Sequence, residues 1–173
     1  MKRIITCTVQ NHGGVLNRIT GMFSKRHFNI ESITVGESES DALAKMTFVV
    51  IVEDEQKLEQ LTKQLHKQID VIKVNDITDK SIVARELALV KVAAGSQARA
   101  EIQGVIEPFR GIVVDVSKET MTIEVTGKTD KIDAFISLLK PYGIKEIART
   151  GVTALLRGQQ VSPQLVEVNT FSI

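Results

Sequence analysis

The chain has 173 residues, 43% of them hydrophobic and 25% charged, with a formal net charge of +1 at pH 7. That length allows one larger domain or two small ones. The near-neutral balance argues against a general nucleic-acid or membrane-surface binder, and no run approaches the roughly 18 apolar residues of a membrane span, so a cytoplasmic protein is expected.

The start, MKRIITCTVQN, turns polar too soon for a signal peptide. Residues 3–10 alternate as a strand with Ile5, Cys7 and Val9 on one face. Cys7 has no second cysteine to pair with and reads as a buried structural thiol. Val15, Leu16, Ile19, Met22 and Phe23 then recur at helical spacing, and Lys25 and Arg26 fall in the last turn, where the macrodipole favours cations. NIESITVGES and ALAKMTFVVIV read as a hairpin across the polar turn ESESD. A second helix follows in DEQKLEQLTKQLHKQI, with Leu58, Leu61, Leu65 and Ile69 on one stripe, and DVIKVNDI closes the unit as a strand. The order over residues 1–79 is βαββαβ.

The pattern then repeats. ELALVKVAA (86–94) reads as a strand, and Ala98, Ile102, Val105, Ile106 and Phe109 make a helical stripe. GIVVDVS and TMTIEVTG form a second hairpin, Ile132, Phe135, Ile136 and Leu139 mark a fourth helix, and YGIKEIARTGV supplies a last strand. The polar junction NDITDKSIVARE puts the boundary near residue 80, so the second unit is 80–158. The aperiodic tail 159–173 is expected to be a loosely attached extension.

The predicted fold class is therefore α+β, two consecutive βαββαβ ferredoxin-like domains. Each is a four-stranded antiparallel sheet with both helices on one face. The open face of the first sheet, with Thr6, Thr8, Val49 and Ile51, suits pairing with another subunit or partial solvation. A homodimer through sheet edges or faces is expected.

Several fragments invite a chemical reading. TGKTD (126–130) contains Gly-Lys-Thr, but position 122 is Thr where a P-loop needs glycine, and a turn into a helix capped by Thr129 or Asp130 accounts for it better. His12, His27 and His66 have no spacing suited to a metal. RNA-recognition modules share the topology but stack bases on exposed aromatics of the central strands, where this chain offers only Phe48. A small acyl-phosphate hydrolase shares it too, but needs an arginine just after strand one, and none precedes Arg18.

What remains is the loop QNHGGVL, where Gly13 and Gly14 separate the first strand from the first helix. Bare N–H groups and the positive end of the helix dipole converge there, which suits a small carboxylate. Asn11 either holds a ligand's amino group through its side-chain oxygen or caps the helix.

Taken together, RIITCTVQNHGGVLNRITGMFSKRHFNIESITVG, KMTF, KQLHKQIDVIKVND, RELALVKV, FRGIVVDVS, IEVTGKTDKIDAFISLLKPYGIKEIARTG and ALLRG resemble the small, regulatory subunit of bacterial acetohydroxyacid synthase (acetolactate synthase). The resemblance runs from about residue 2 to 158 and implies that the first unit is an ACT domain. It also implies a chain without an active site or cofactor of its own, which binds a catalytic subunit carrying thiamine diphosphate, magnesium and FAD. Such a subunit raises the partner's activity and confers valine feedback inhibition in branched-chain amino acid biosynthesis. The implied effector contacts are Asn11, Gly13, Gly14, Val15 and Leu16, with Asn29 and Ile30 from the partner of an ACT homodimer, and this favours Asn11 as a contact over the cap. The alternative is a free-standing ACT-type amino-acid sensor with another target. One departure concerns a turn: the family usually carries Gly-Tyr before NIES, and this chain has His27-Phe28, which requires His27 to adopt a left-handed backbone without a tyrosine hydroxyl beside it. The tail after Gly158 has no family pattern to assign it a role.

Overall fold

The computed structural model describes residues 1–158; the expected tail at 159–173 lies outside them. Strand β1 (Lys2–Gln10) carries Ile5, Cys7 and Val9 fully buried, as the alternation requires. Helix α1 (Val15–Lys25), β2 (Asn29–Glu37), β3 (Leu43–Ile51), α2 (Glu55–His66) and β4 (Val71–Asp76) follow in the expected order. The four strands form an antiparallel sheet in the order β2-β3-β1-β4, so β2 is an edge. Both helices bury their apolar stripes on one face of it. Phe23 of α1 stacks on Phe48 of β3 with ring centroids 5.0 Å apart.

Two residues depart from the expected stripes. Ile69 lies beyond the end of α2 and is 83% exposed, while Leu16, in the first turn of α1, is 45% exposed. Helical spacing carried both inward on paper. The helix stops at His66, and in α1 it is Val15, not Leu16, that turns into the core.

The turn before β2 behaves as the sequence requires. His27 has φ 58°, a left-handed backbone, and Phe28 packs edge-on against Phe23. A β-branched residue is poorly accommodated there. His27→Val is expected to lower stability by about 1–2 kcal/mol, with His27→Gly close to the parent. Urea unfolding at fixed protein concentration reads the difference, and equal midpoints for the valine and glycine variants would contradict it.

The second half repeats the plan with β5 (Ile82–Ala93), α3 (Ala98–Phe109), β6 (Ile112–Val116), β7 (Thr120–Gly127), α4 (Thr129–Leu139) and β8 (Ile144–Arg149). Its sheet order, β6-β7-β5-β8, is the same as the first. Ile102, Ile106, Ile132, Phe135 and Leu139 are buried against the sheet. Neither Thr129 nor Asp130 caps α4: the cap position is Lys128, and the Thr129 hydroxyl instead donates to the buried Glu86 carboxylate. Arg149 Nε also holds Glu86, at 2.6 Å, and its Nη1 reaches Asp133 at 2.7 Å.

The halves meet through an element that periodicity did not reveal. Strand β9 (Thr153–Leu156) returns to pair with residues 82–85 at the start of β5, which is why β5 begins four residues before the apolar run at 86. It lies over the helix-free face of the first sheet. Val152 and Ala154 are buried there with Val49 and Ile77, and Ile4, Ile82, Ala84 and Leu156 pack around them. Thr6 and Thr47 on that face are 5% and 4% exposed. The expected cover by another subunit or by solvent is thus corrected over this part of the face: the chain supplies its own. Thr34 of β2 donates its hydroxyl to the Val152 carbonyl. Gly151 lies so close to β2 that a Cβ would stand 3.1 Å from the Ile33 carbonyl oxygen.

Candidate functional site

The loop between β1 and α1 is the feature that the fold leaves open. Gly14 has φ 89° and ψ −10°, so the chain enters α1 through a left-handed residue, which glycine adopts without strain. A Cβ built on Gly13 or Gly14 would meet nothing within 4 Å. No side chain caps α1, and its first turn holds no acidic residue. The contrast within the same domain is direct: α2 is capped by Asp54, whose carboxylate accepts from the Lys57 N–H at 2.7 Å. The start of α1 thus presents N–H groups and a positive dipole end with neither a side-chain cap nor an acidic residue in its first turn.

Asn11 does not cap the helix. Its Nδ2 donates to the Asp41 carbonyl at 2.9 Å, and its backbone N–H donates to the Ala42 carbonyl at 2.8 Å, tying the loop to the turn between β2 and β3. That orientation commits the amide nitrogen and leaves the side-chain oxygen as an acceptor.

The other side of the loop is tied to Asp70, just before β4, a contact that the sequence reading missed. His12 Nε2 lies 3.0 Å from Asp70 Oδ1, and Arg18 Nη1 donates to Asp70 Oδ2 at 2.5 Å. The Asp70 side chain is only 5% exposed. The helical stripe placed Ile69 inside; the structure turns it out and Asp70 in.

The predicted contacts fall into two groups. Asn11, Gly13, Gly14 and Leu16 are exposed at the loop, and Val15 beside them is buried in the core. Asn29 and Ile30 stand at the opposite end of the sheet: Asn29 pairs with Ile51, which pairs with Lys2, whereas the loop leaves β1 after Gln10. Eight strand steps separate the two ends, roughly 27 Å. Within one chain the two groups do not meet.

Other chemistry is sparse. Among the described residues no group of three or more His, Cys, Asp or Glu side chains could hold a metal ion, and no helix is long and apolar enough to cross a membrane. Burial pushes the Cys7 thiol up to about 12, which keeps it protonated and unreactive at neutral pH.

Comparison with known proteins completes the picture. Residues 5–73 match the family model for an AHAS small subunit-like ACT domain, and residues 85–158 match that for the small subunit of acetolactate synthase. Over 160 residues the chain is 65% identical to the acetolactate synthase small subunit of Bacillus subtilis, covering 92% of this chain and 93% of that one. The chain belongs to the acetolactate synthase small-subunit family. A probable small subunit from Methanothermobacter thermautotrophicus is 52% identical over 158 residues, covering 91% of this chain and 94% of its own. The crystal structure of the small subunit from Thermotoga maritima superposes with a TM-score of 0.84 at 40% identity, covering 91% of this chain and 98% of that one. Membership in the family supports a regulatory role and implies a catalytic subunit as partner, to which the enzyme's cofactors belong.

Proposed function

We propose that the chain, in the cytoplasm, raises the activity of a thiamine-diphosphate-dependent catalytic subunit, which also binds magnesium and FAD, and makes that enzyme sensitive to valine. Valine would bind between two copies of the ACT domain, residues 1–79. The observation that carries this reading is the uncapped, acid-free start of α1 behind Gly13-Gly14, in a domain whose other helix is capped by an aspartate. It accepts the effector's carboxylate, the free Asn11 oxygen accepts the ammonium, and exposed Leu16 flanks the side chain while Val15 beside it anchors the helix start in the core.

Two copies are needed because Asn29 and Ile30 lie at the wrong end of the sheet within one chain. The edge position of β2 supports a dimer that brings the two groups together. When β2 of one copy pairs antiparallel with β2 of another about a two-fold axis, the Asn29 end of each is carried to the Glu37 end of its partner. Glu37 pairs with Ala44, which pairs with Val9 beside the loop, so each Asn29 arrives at the partner's glycines.

A ligand that binds only the dimer must tighten it. Sedimentation of the dilute full chain is expected to show the dimer dissociation constant falling about 100-fold for each site when valine is at about 100 times its own dissociation constant. An association constant that does not respond to valine would count against an interface site.

A further inference from the structure

We propose that Asp70 is a positioning residue for the effector loop: its buried carboxylate sets valine affinity through His12 and Arg18 without touching the ligand. The inference rests on the effector reading of the loop at 11–14.

Gly13 and Gly14 bring no side chains to hold their own conformation, and the space around their missing Cβ atoms is empty. The loop is fixed from outside, at two points. On one side Asn11 is bonded to Asp41 and Ala42 of the turn between β2 and β3. On the other, the Asp70 carboxylate engages His12 immediately before the glycines and Arg18 in the first turn of α1. The backbone joins in: the Asp70 carbonyl accepts from the Gln10 N–H at 2.9 Å, and the Arg18 N–H donates to the Gly14 carbonyl at 3.0 Å. His12 Nδ1 lies 3.1 Å from the Gly13 carbonyl oxygen, so the ring held at Asp70 also sits against the first glycine. One carboxylate therefore holds both the entry to the loop and the helix whose N–H groups the loop exposes.

The placement of Asp70 is itself informative. A carboxylate taken out of water is unfavourable unless charged or donor groups surround it. Here the chain buries Asp70 to 3% of its surface while turning the neighbouring Ile69 out. His12 and Arg18 are about half exposed, at 47% and 48%, so the pairings restrain surface groups from a rigid, buried point. A binding site held open by backbone alone needs such an anchor, because a ligand otherwise has to order the loop as it binds.

The test is calorimetric titration of valine into the full chain as a dimer. Four forms are compared: wild type, Asp70→Asn, His12→Ala and the double variant. Asp70→Asn removes the charge and keeps the shape, and is expected to weaken valine binding about 10-fold, with His12→Ala weakening it about 5-fold. The double variant should bind no worse than Asp70→Asn, because the histidine acts through the aspartate. His12→Gln, which keeps a donor able to reach Asp70, should recover affinity to within about 3-fold of wild type.

Half-exposed His12 can be changed without threatening the fold, so its variants remain informative even when Asp70→Asn lowers the melting temperature. Wild-type affinity in both single variants, or losses that add in the double, would overturn the inference while leaving the effector reading intact. Valine binding absent from the wild-type dimer would overturn both.

Discussion

Gly14→Asp is expected to abolish valine inhibition of the reconstituted enzyme while leaving activation in place. The substitution puts a carboxylate beside the N–H groups at the start of α1, where no side chain now stands. The helix end is then satisfied from within, and the new charge repels the effector's own carboxylate. Losing charge-assisted hydrogen bonds and adding like-charge repulsion amounts to about 3 kcal/mol, roughly 100-fold or more in affinity. A valine titration of the reconstituted complex reads this as an inhibition midpoint displaced beyond reach.

The fold tolerates the change for two reasons. Nothing lies within 4 Å of a Cβ at Gly14, so the side chain has room. Its φ of 89° strains any residue other than glycine by about 1 kcal/mol, with aspartate among the more tolerant. Gly14→Ala is the control for that strain and should weaken valine binding far less. Regulation is lost because the effector no longer prefers one state; a ligand with equal affinity for both shifts nothing. An unchanged midpoint in Gly14→Asp would reduce the two glycines to a turn.

Much of this was legible in the residues, and the reasons are specific. The burial of Ile5, Cys7 and Val9 follows from alternation, and that of Leu58, Leu61 and Leu65 from helical spacing, because both patterns report one face of a regular element. The left-handed His27 was visible once glycine was seen to be the usual residue at that turn. The left-handed Gly14 was legible because paired glycines between a strand and a helix mark a turn that asks for positive φ.

What escaped was set by tertiary contact. Ile69 continues a helical stripe in sequence, but the helix ends three residues earlier. Asp70 has no local signature: its partners, His12 and Arg18, are 58 and 52 residues away in sequence. Thr129 looked like a cap and became a partner for Glu86, 43 residues away in sequence. Asn11 left two roles open, and the structure closes one, because Gly14 stands at the cap position and no side chain caps α1. Strand β9 is only four residues long, too short for periodicity to show, and its burial exists only because the first sheet lies beneath it.

That strand carries the second large expectation. Val152→Asp is expected to destabilise the full chain by about 3 kcal/mol, because it places an unpaired carboxylate against Val49, Ile77 and Ile4, where Val152 is 6% exposed. Leu155→Asp, in β9 itself, is the matched control. Leu155 is 54% exposed on the outward side, and its replacement should change stability by less than about 0.5 kcal/mol. The pair separates burial of β9 from any general effect of a new charge.

The form of the unfolding curve carries the deeper test. Although each half has its own core, residues 152–156 belong in sequence to the second and in packing to the first. Cutting the chain near residue 80 therefore bares Val49 and Ile77, and an isolated first half must stand without that cover. In the full chain the shared face should couple the halves into a single urea transition. Val152→Asp breaks the coupling without removing a residue, so its curve should separate into two steps while Leu155→Asp keeps one. Protein concentration has to be held fixed, since self-association would make the apparent stability depend on it. A single unshifted transition in Val152→Asp would mean that β9 merely rests on the first sheet, and that the edge strand β2, bonded through Thr34 to Val152, has no firm hold on the second half.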